Sequence, residues 1–168
     1  NHLDFFGTAL HEIGHTLGFS SGVDELDNNG GGQFSDDELN YVNSLDFLRF
    51  STDSEAVGAD LDWTADERDK YLSIDGGLTN TAGVASAWSK GVNYGDGEQA
   101  SHWAIEGGLG IMDPTTNFGV RNELSNMDLL ALDAIGYDRI FSAVPEPGSM
   151  LGWLALAFYF RRYRRIKA

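Results

Sequence analysis

Near the start of the chain, apolar residues recur at spacings of three and four: Phe6, Ala9, Leu10, Ile13 and Leu17. That period marks one face of an α-helix, with Asp4, Thr8, His11, Glu12 and His15 on the other side. Asp4 stands where a carboxylate caps the first turn, and Gly18 where a left-handed residue ends a helix. Gly14, inside the helix, costs about 1 kcal/mol relative to Ala. Such a residue is expected where backbone passes close to a metal or a substrate. The Gly/Asn-rich stretch from Asp27 to Gly32 predicts a solvated acidic loop. Ser35 and Glu38 have capping-box spacing, and Leu39 and Val42 continue one helical face. Leu45 to Phe50 predicts a strand or a buried extended segment, and Thr64 with Glu67 the cap of a short helix. Tyr71 to Ile74 predicts a strand running into the turn Asp75-Gly76-Gly77. Val84 to Val92 predicts a further strand and Asn93 to Gly97 a turn. A last helix is predicted with Ser125 as cap, Asp128 as third helical residue and Leu124 with Leu129 as hydrophobic staple. It should run to about Ile135 and stop at Gly136.

The 168 residues suit one domain with enough apolar content for a core. The chain begins at Asn1, a few residues ahead of the first helix, and is read as a mature product or the C-terminal portion of a larger domain. The lack of a leader therefore says nothing about export. There is no cysteine, which excludes disulfides and thiolate metal sites. The net charge of −15 argues against nucleic-acid binding, which needs a basic surface. Five of the eleven Lys and Arg residues, Arg161, Arg162, Arg164, Arg165 and Lys167, sit at the very end. The rest of the chain is more acidic still.

The sharpest chemical signal is His11-Glu12-Ile13-Gly14-His15, an H-E-x-x-H motif. On a helix, residues four apart share a face, so both imidazoles can point at one ion. Zinc binds neutral imidazole nitrogens at about 2.0–2.1 Å in a near-tetrahedral shell. Glu12 beside it can take a proton from a water whose pKa the metal has lowered to about 7. A hydrolytic zinc usually has three protein ligands. Of the remaining histidines, His2 precedes the helix with poor geometry, which leaves His102, 87 residues after His15, or the carboxylate of Asp24. Asp24 could instead orient a ligand from behind. Asp27, Asn29 and Glu38 fall at the first, third and twelfth positions of a calcium loop, but Gly31 at the fifth supplies no oxygen.

Two stretches extend the motif. The zinc proteases called metzincins continue H-E-x-x-H with a Gly and, three residues on, a third His; here Gly18 is present and Ser21 holds the His position. The leishmanolysin-type metzincins carry that His after a long insert, in a His-Trp pair followed by a Met-containing turn. His102-Trp103 and Gly110-Ile111-Met112-Asp113-Pro114 resemble that arrangement, over roughly residues 4–24 and 98–138. The resemblance implies His102 as third ligand and Met112 as the Met-turn residue beneath the metal. Some metzincins place a Tyr soon after that Met; Asp113-Pro114 stands there instead. The fold implied is α+β, a zincin/metzincin-like catalytic domain over residues 1–141, without the sheet that normally precedes the metal helix.

Residues 142–168 read differently. Val144-Pro145-Glu146-Pro147 leads into an apolar segment, 148–160, and then the basic cluster 161–167. The run Met150 to Phe160 makes about 16 Å of helix, short of a hydrocarbon core of about 30 Å. This pattern resembles the PEP-CTERM sorting signal of Gram-negative bacteria. The resemblance implies processing by an exosortase-type membrane enzyme, transient residence of 148–165 in the inner membrane, and delivery to the cell surface or extracellular matrix. Basic residues stay cytoplasmic, which puts the acidic domain on the outer side.

These readings combine into an exported zinc metalloendopeptidase, with His11, His15 and His102 (or Asp24) on Zn2+ and Glu12 as general base. The isolated chain is expected to bind zinc weakly and cleave poorly. The alternatives are a surface or matrix interaction protein with a structural or vestigial zinc site, and a zinc hydrolase acting on something other than peptide.

Overall fold

A computed structural model describes residues 2–30, 41–56, 61–105 and 107–139. In chain order these form α1 (Phe5–Thr16), α2 (Val23–Asn29), a 3-10 helix (Ser44–Leu48), β1 (Arg49–Phe50), α3 (Thr52–Ala56), β2 (Tyr71–Leu72) and α4 (Asn126–Ala134). β1 and β2 pair antiparallel, Arg49 opposite Leu72 and Phe50 opposite Tyr71. The chain divides into two compact units, Asn1–Tyr137 and Asp138–Ala168, against the expected boundary after residue 141. Among the described residues no helix is long and apolar enough to cross a membrane. The expectations for 142–168, the Ser35/Glu38 capping box and most of the calcium loop fall outside the described residues.

The core is built mostly from residues of loops. Phe19, Leu45, Leu48, Leu72, Trp88, Trp103, Ile111, Met112 and Ala131 form one buried cluster. Trp88 and Trp103 stack at 4.5 Å, and Phe19 meets Trp103 edge-on at 4.9 Å. Offset stacks and T-shaped contacts are the favoured arrangements of aromatic quadrupoles.

The structure corrects several expectations. The apolar stripe of α1 does not face the core: Phe6 is 58 % exposed and Ile13 49 %. The buried positions of α1 are Gly7 and Gly14, so the helix docks through its glycine and histidine side. Asp4 occupies the N-cap position without a side-chain cap bond, and its Oδ2 is buried without a partner among the described residues. Asp27 belongs to α2, not to a solvated loop. It is 2 % exposed, and its carboxylate accepts from the Asn93 and Tyr94 backbone amides and the Asn93 side chain. A carboxylate so supplied with donors is stable when buried. Thr64 starts no helix: its hydroxyl donates to Asp62 and accepts from Arg68 Nη2 at 2.9 Å, not from a first-turn amide. Ser44–Leu48 winds into a 3-10 helix before the two-residue strand. Val84 to Val92 makes only the isolated bridges Trp88–Trp103 and Gly91–Glu98, and Gly91 at φ +125° breaks any longer run.

The two helix ends near the site form as expected. At the C-terminus of α1, Phe19 N donates to Gly14 O at 3.0 Å and Gly18 N to His15 O at 3.0 Å, with Gly18 at φ +102°. This is the Schellman arrangement, which needs a left-handed residue at Gly18. At the start of α4, the Ser125 hydroxyl accepts from Met127 N and Asp128 N, and the Asp128 carboxylate accepts from Ser125 N at 2.7 Å.

Candidate metal centre

α1 sets His11 and His15 one turn apart, with their Nε2 atoms 3.1 Å from each other. His102 arrives from the loop between the two tryptophans, its Nε2 3.2 Å from both. The three ring nitrogens therefore converge on one point.

What lies behind each ring decides what faces that point. His11 Nδ1 lies 2.8 Å from Ile111 O, His15 Nδ1 2.7 Å from Phe19 O, and His102 Nδ1 3.2 Å from Gln99 O. A carbonyl only accepts, so each Nδ1 carries the proton, and a neutral ring then turns a lone pair toward the centre. Three lone pairs at this separation repel unless a cation sits among them. Around a tetrahedral zinc with bonds of about 2.0–2.1 Å, nitrogens stand ~3.3 Å apart. The trio fits such an ion in donor type, number and spacing. Burial and the neighbouring His15 push the His102 imidazole down to about 4, so it stays neutral, as a ligand must be.

The other expected residues fall as follows. Glu12 follows His11 on α1 and is exposed, and its carboxylate makes no hydrogen bond to the described residues. His2 lies apart, its carbonyl accepting from Gly119 N. Asp24 does not join the imidazoles: Oδ1 accepts from Ala100 N at 2.6 Å, and Oδ2 from Ser101 N at 3.2 Å and from the Ser101 hydroxyl. Met112 is 1 % exposed, and a Cβ added at Gly14 would stand 2.4 Å from its Sδ. What passes close to Gly14 is thus this thioether, packed against the helix between the two histidines. Asp113 is half-buried, which pushes its carboxyl up, and its Oδ1 has no partner among the described residues.

Compared with protein-family models, curated proteins and solved structures, the chain finds no match in any of the three. Its reading therefore rests on the geometry.

Two supports of the centre have no counterpart among the expected site residues. The Asp128 carboxylate is fully buried and accepts from Trp103 Nε1 at 2.8 Å, Ile111 N at 2.9 Å, Met112 N at 3.3 Å and Ser125 N. It ties α4 to the residue after His102 and to the strand of backbone whose carbonyl holds His11. A Cβ at Gly110 would sit 2.1 Å from this carboxylate, so the chain there passes too close for any side chain. Arg49, fully buried, donates to Ala100 O at 3.1 Å and Ser89 O at 3.0 Å. Burial lowers it to about 10 against the pull of Asp46 and Asp24, leaving it charged at neutral pH. Ser89 in turn donates from its amide to His102 O and from its hydroxyl to Trp103 O. The capping-box spacing points to Asp128 only as a local cap. A lone Arg inside the apolar run Leu45 to Phe50 is the one hint of Arg49.

Proposed function

We propose that this chain is the catalytic part of an exported zinc-dependent endopeptidase of the metzincin kind. The observation that carries the reading is the meeting of three imidazole Nε2 atoms at 3.1–3.2 Å, each ring held from behind by a backbone carbonyl. His11, His15 and His102 would hold the ion. A zinc bound there supplies Lewis-acid polarisation of a carbonyl and a lowered pKa for water. Glu12, adjacent to His11 and free of competing hydrogen bonds to the described residues, takes a proton from the attacking water on its carboxylate and returns it to the leaving amine. Asp24 serves no ligand role in this reading. The acidic balance suits a protein or peptide substrate and not nucleic acid. The Pro-Glu-Pro tail supports sorting through an exosortase-type enzyme at the inner membrane, to the surface or matrix of a Gram-negative cell.

Glu12→Gln decides the matter. In the full-length protein the variant should retain zinc by metal analysis and lose peptide hydrolysis by at least about 100-fold, the low end of what general-base catalysis contributes. Retained hydrolysis would remove Glu12 from the mechanism. An interaction protein with a structural zinc is the second reading. It is favoured by the exposed face of α1, where Phe5, Phe6, Ile13 and Leu17 meet solvent. That reading predicts no hydrolysis by the full-length parent protein and no change on Glu12→Gln.

A further inference from the structure

The backbone just before His102 is held on two sides. Ala100 and Ser101 send both amides and one hydroxyl to the Asp24 carboxylate, while Ala100 O accepts from the buried Arg49. The Ser101 hydroxyl also accepts from Ser21 N at 2.9 Å. Ser21 is itself fixed, its hydroxyl donating to Asp46 Oδ1 at 2.5 Å. Asp46 further accepts from Gly22 N at 2.9 Å and Asn43 N at 2.8 Å.

Asp24 stands in the first turn of α2, on the chain that has just left the C-terminus of α1. That same short stretch begins with Phe19, whose carbonyl holds the His15 ring. One piece of backbone, Phe19 to Asp24, thus grips the second histidine at one end and the loop of the third at the other. Resting on the zinc reading above, we propose that Asp24 is a positioning residue: it sets how closely the His102 imidazole approaches His11 and His15. Both its oxygens accept from the His102 loop and it stands outside the cluster of three imidazoles, so it acts through backbone and not as a ligand. Groups that orient a ligand typically change metal affinity 10–100-fold when removed. Asp24→Asn replaces one acceptor with an NH2 facing an N–H, which turns the loop away.

The test uses the 168-residue chain loaded with cobalt(II) or zinc. Wild type, Asp24→Asn, Ser101→Ala and His102→Ala are compared by chelator competition, by the visible cobalt spectrum and by melting of the metal-free forms. Asp24→Asn should bind about 10–100-fold more weakly, with a cobalt spectrum shifted toward that of His102→Ala, beyond whatever metal-free melting loses. Ser101→Ala removes one of the three donors; it should move affinity a few-fold the same way, and it carries the test if Asp24→Asn does not fold. Affinity within twofold of wild type and an unchanged spectrum overturn the proposal. So does full affinity in His102→Ala with loss in Asp24→Asn, which would make Asp24 the ligand. A wild-type chain that binds neither metal instead removes the zinc reading itself.

Discussion

The candidate metal centre has a near half and a far half, and they are built by different physics. His11 and His15 need only a helix: four residues at 1.5 Å rise place them on one face. His102 has no element of its own. Its loop is held by Asp24 and Arg49 before it and by Ser89 and Asp128 after it, all of them from elsewhere in the chain. The near half comes with secondary structure. The far half exists only when a buried polar network is complete, and such networks fail sharply when one member is lost.

Removing a ligand is the bluntest way to compare the halves. Zinc affinities of small metal-binding domains, about 10–16 kcal/mol, shared over three or four ligands put each ligand at roughly 2.5–5 kcal/mol. His102→Ala should therefore weaken zinc by roughly a hundred- to a few thousandfold, as should His11→Ala, measured by chelator competition. A His102→Ala chain with parental affinity would dissolve the far half altogether.

Asp128→Ala breaks the far half without touching a ligand. It strips the acceptor from four N–H groups, three of them in buried bonds and the fourth, Ser125 N, in a half-buried one. Each unsatisfied buried donor costs about 1–3 kcal/mol, reduced where water can enter. A loss of about 3 kcal/mol or more in urea unfolding is expected, accompanied by weaker metal binding. Loss of a local cap alone would cost only ~1 kcal/mol. A result near that lower figure would confine Asp128 to the end of α4.

The same division governs what the sequence discloses. The ends of α1 and α4 are legible because their signals are local: Gly18 for a left-handed stop, and Ser125 with Asp128 for a reciprocal cap. The pairing of His11 with His15 is legible for the same reason. Which face of α1 is buried is not, since Phe6 and Ile13 look like core until Gly14 is seen against Met112. Asp27 reads as a loop carboxylate because its donors, Asn93 and Tyr94, lie more than sixty residues on. Arg49, Ser89 and the second task of Asp128 are hidden likewise: a polar side chain carries no mark of the distant partner that will satisfy it.

Acid should weaken the far half in the metal-free chain. In the unfolded state His102 titrates near ~6.5, whereas burial beside His15 lowers it to about 4 in the fold. As pH falls through that window, the unfolded chain takes up a proton that the folded chain refuses. Stability must drop across it and level off below. At about 1.4 kcal/mol per unit the drop is at most ~3 kcal/mol. Urea unfolding of the metal-free protein between these pH values should show it, and His102→Gln should flatten it. A parental profile already flat would mean that the ring is not shielded in the metal-free fold.

The smallest effect probes where the halves touch. Ala is favoured over Gly in a helix interior by about 1 kcal/mol, so Gly14→Ala would ordinarily stabilise α1. Here the new methyl would stand 2.4 Å from Met112 Sδ and 3.1 Å from its Cε. Overpacking of this kind costs about 1–3 kcal/mol. The flexible thioether can shift, but Met112 is buried among Trp103, Ile111 and Phe19 and has little room. The two terms oppose each other, leaving a net loss of about 2 kcal/mol or less. Alone that figure says little, and the cycle with Met112→Ala carries the argument. If the thioether is what opposes the methyl, Gly14→Ala should become stabilising once Met112 is shortened, and the coupling between the two changes should be 1 kcal/mol or more. Additive effects would mean that Gly14 and Met112 do not press on each other. The turn that carries Met112 would then be held to α1 by the bond from His11 to Ile111 alone.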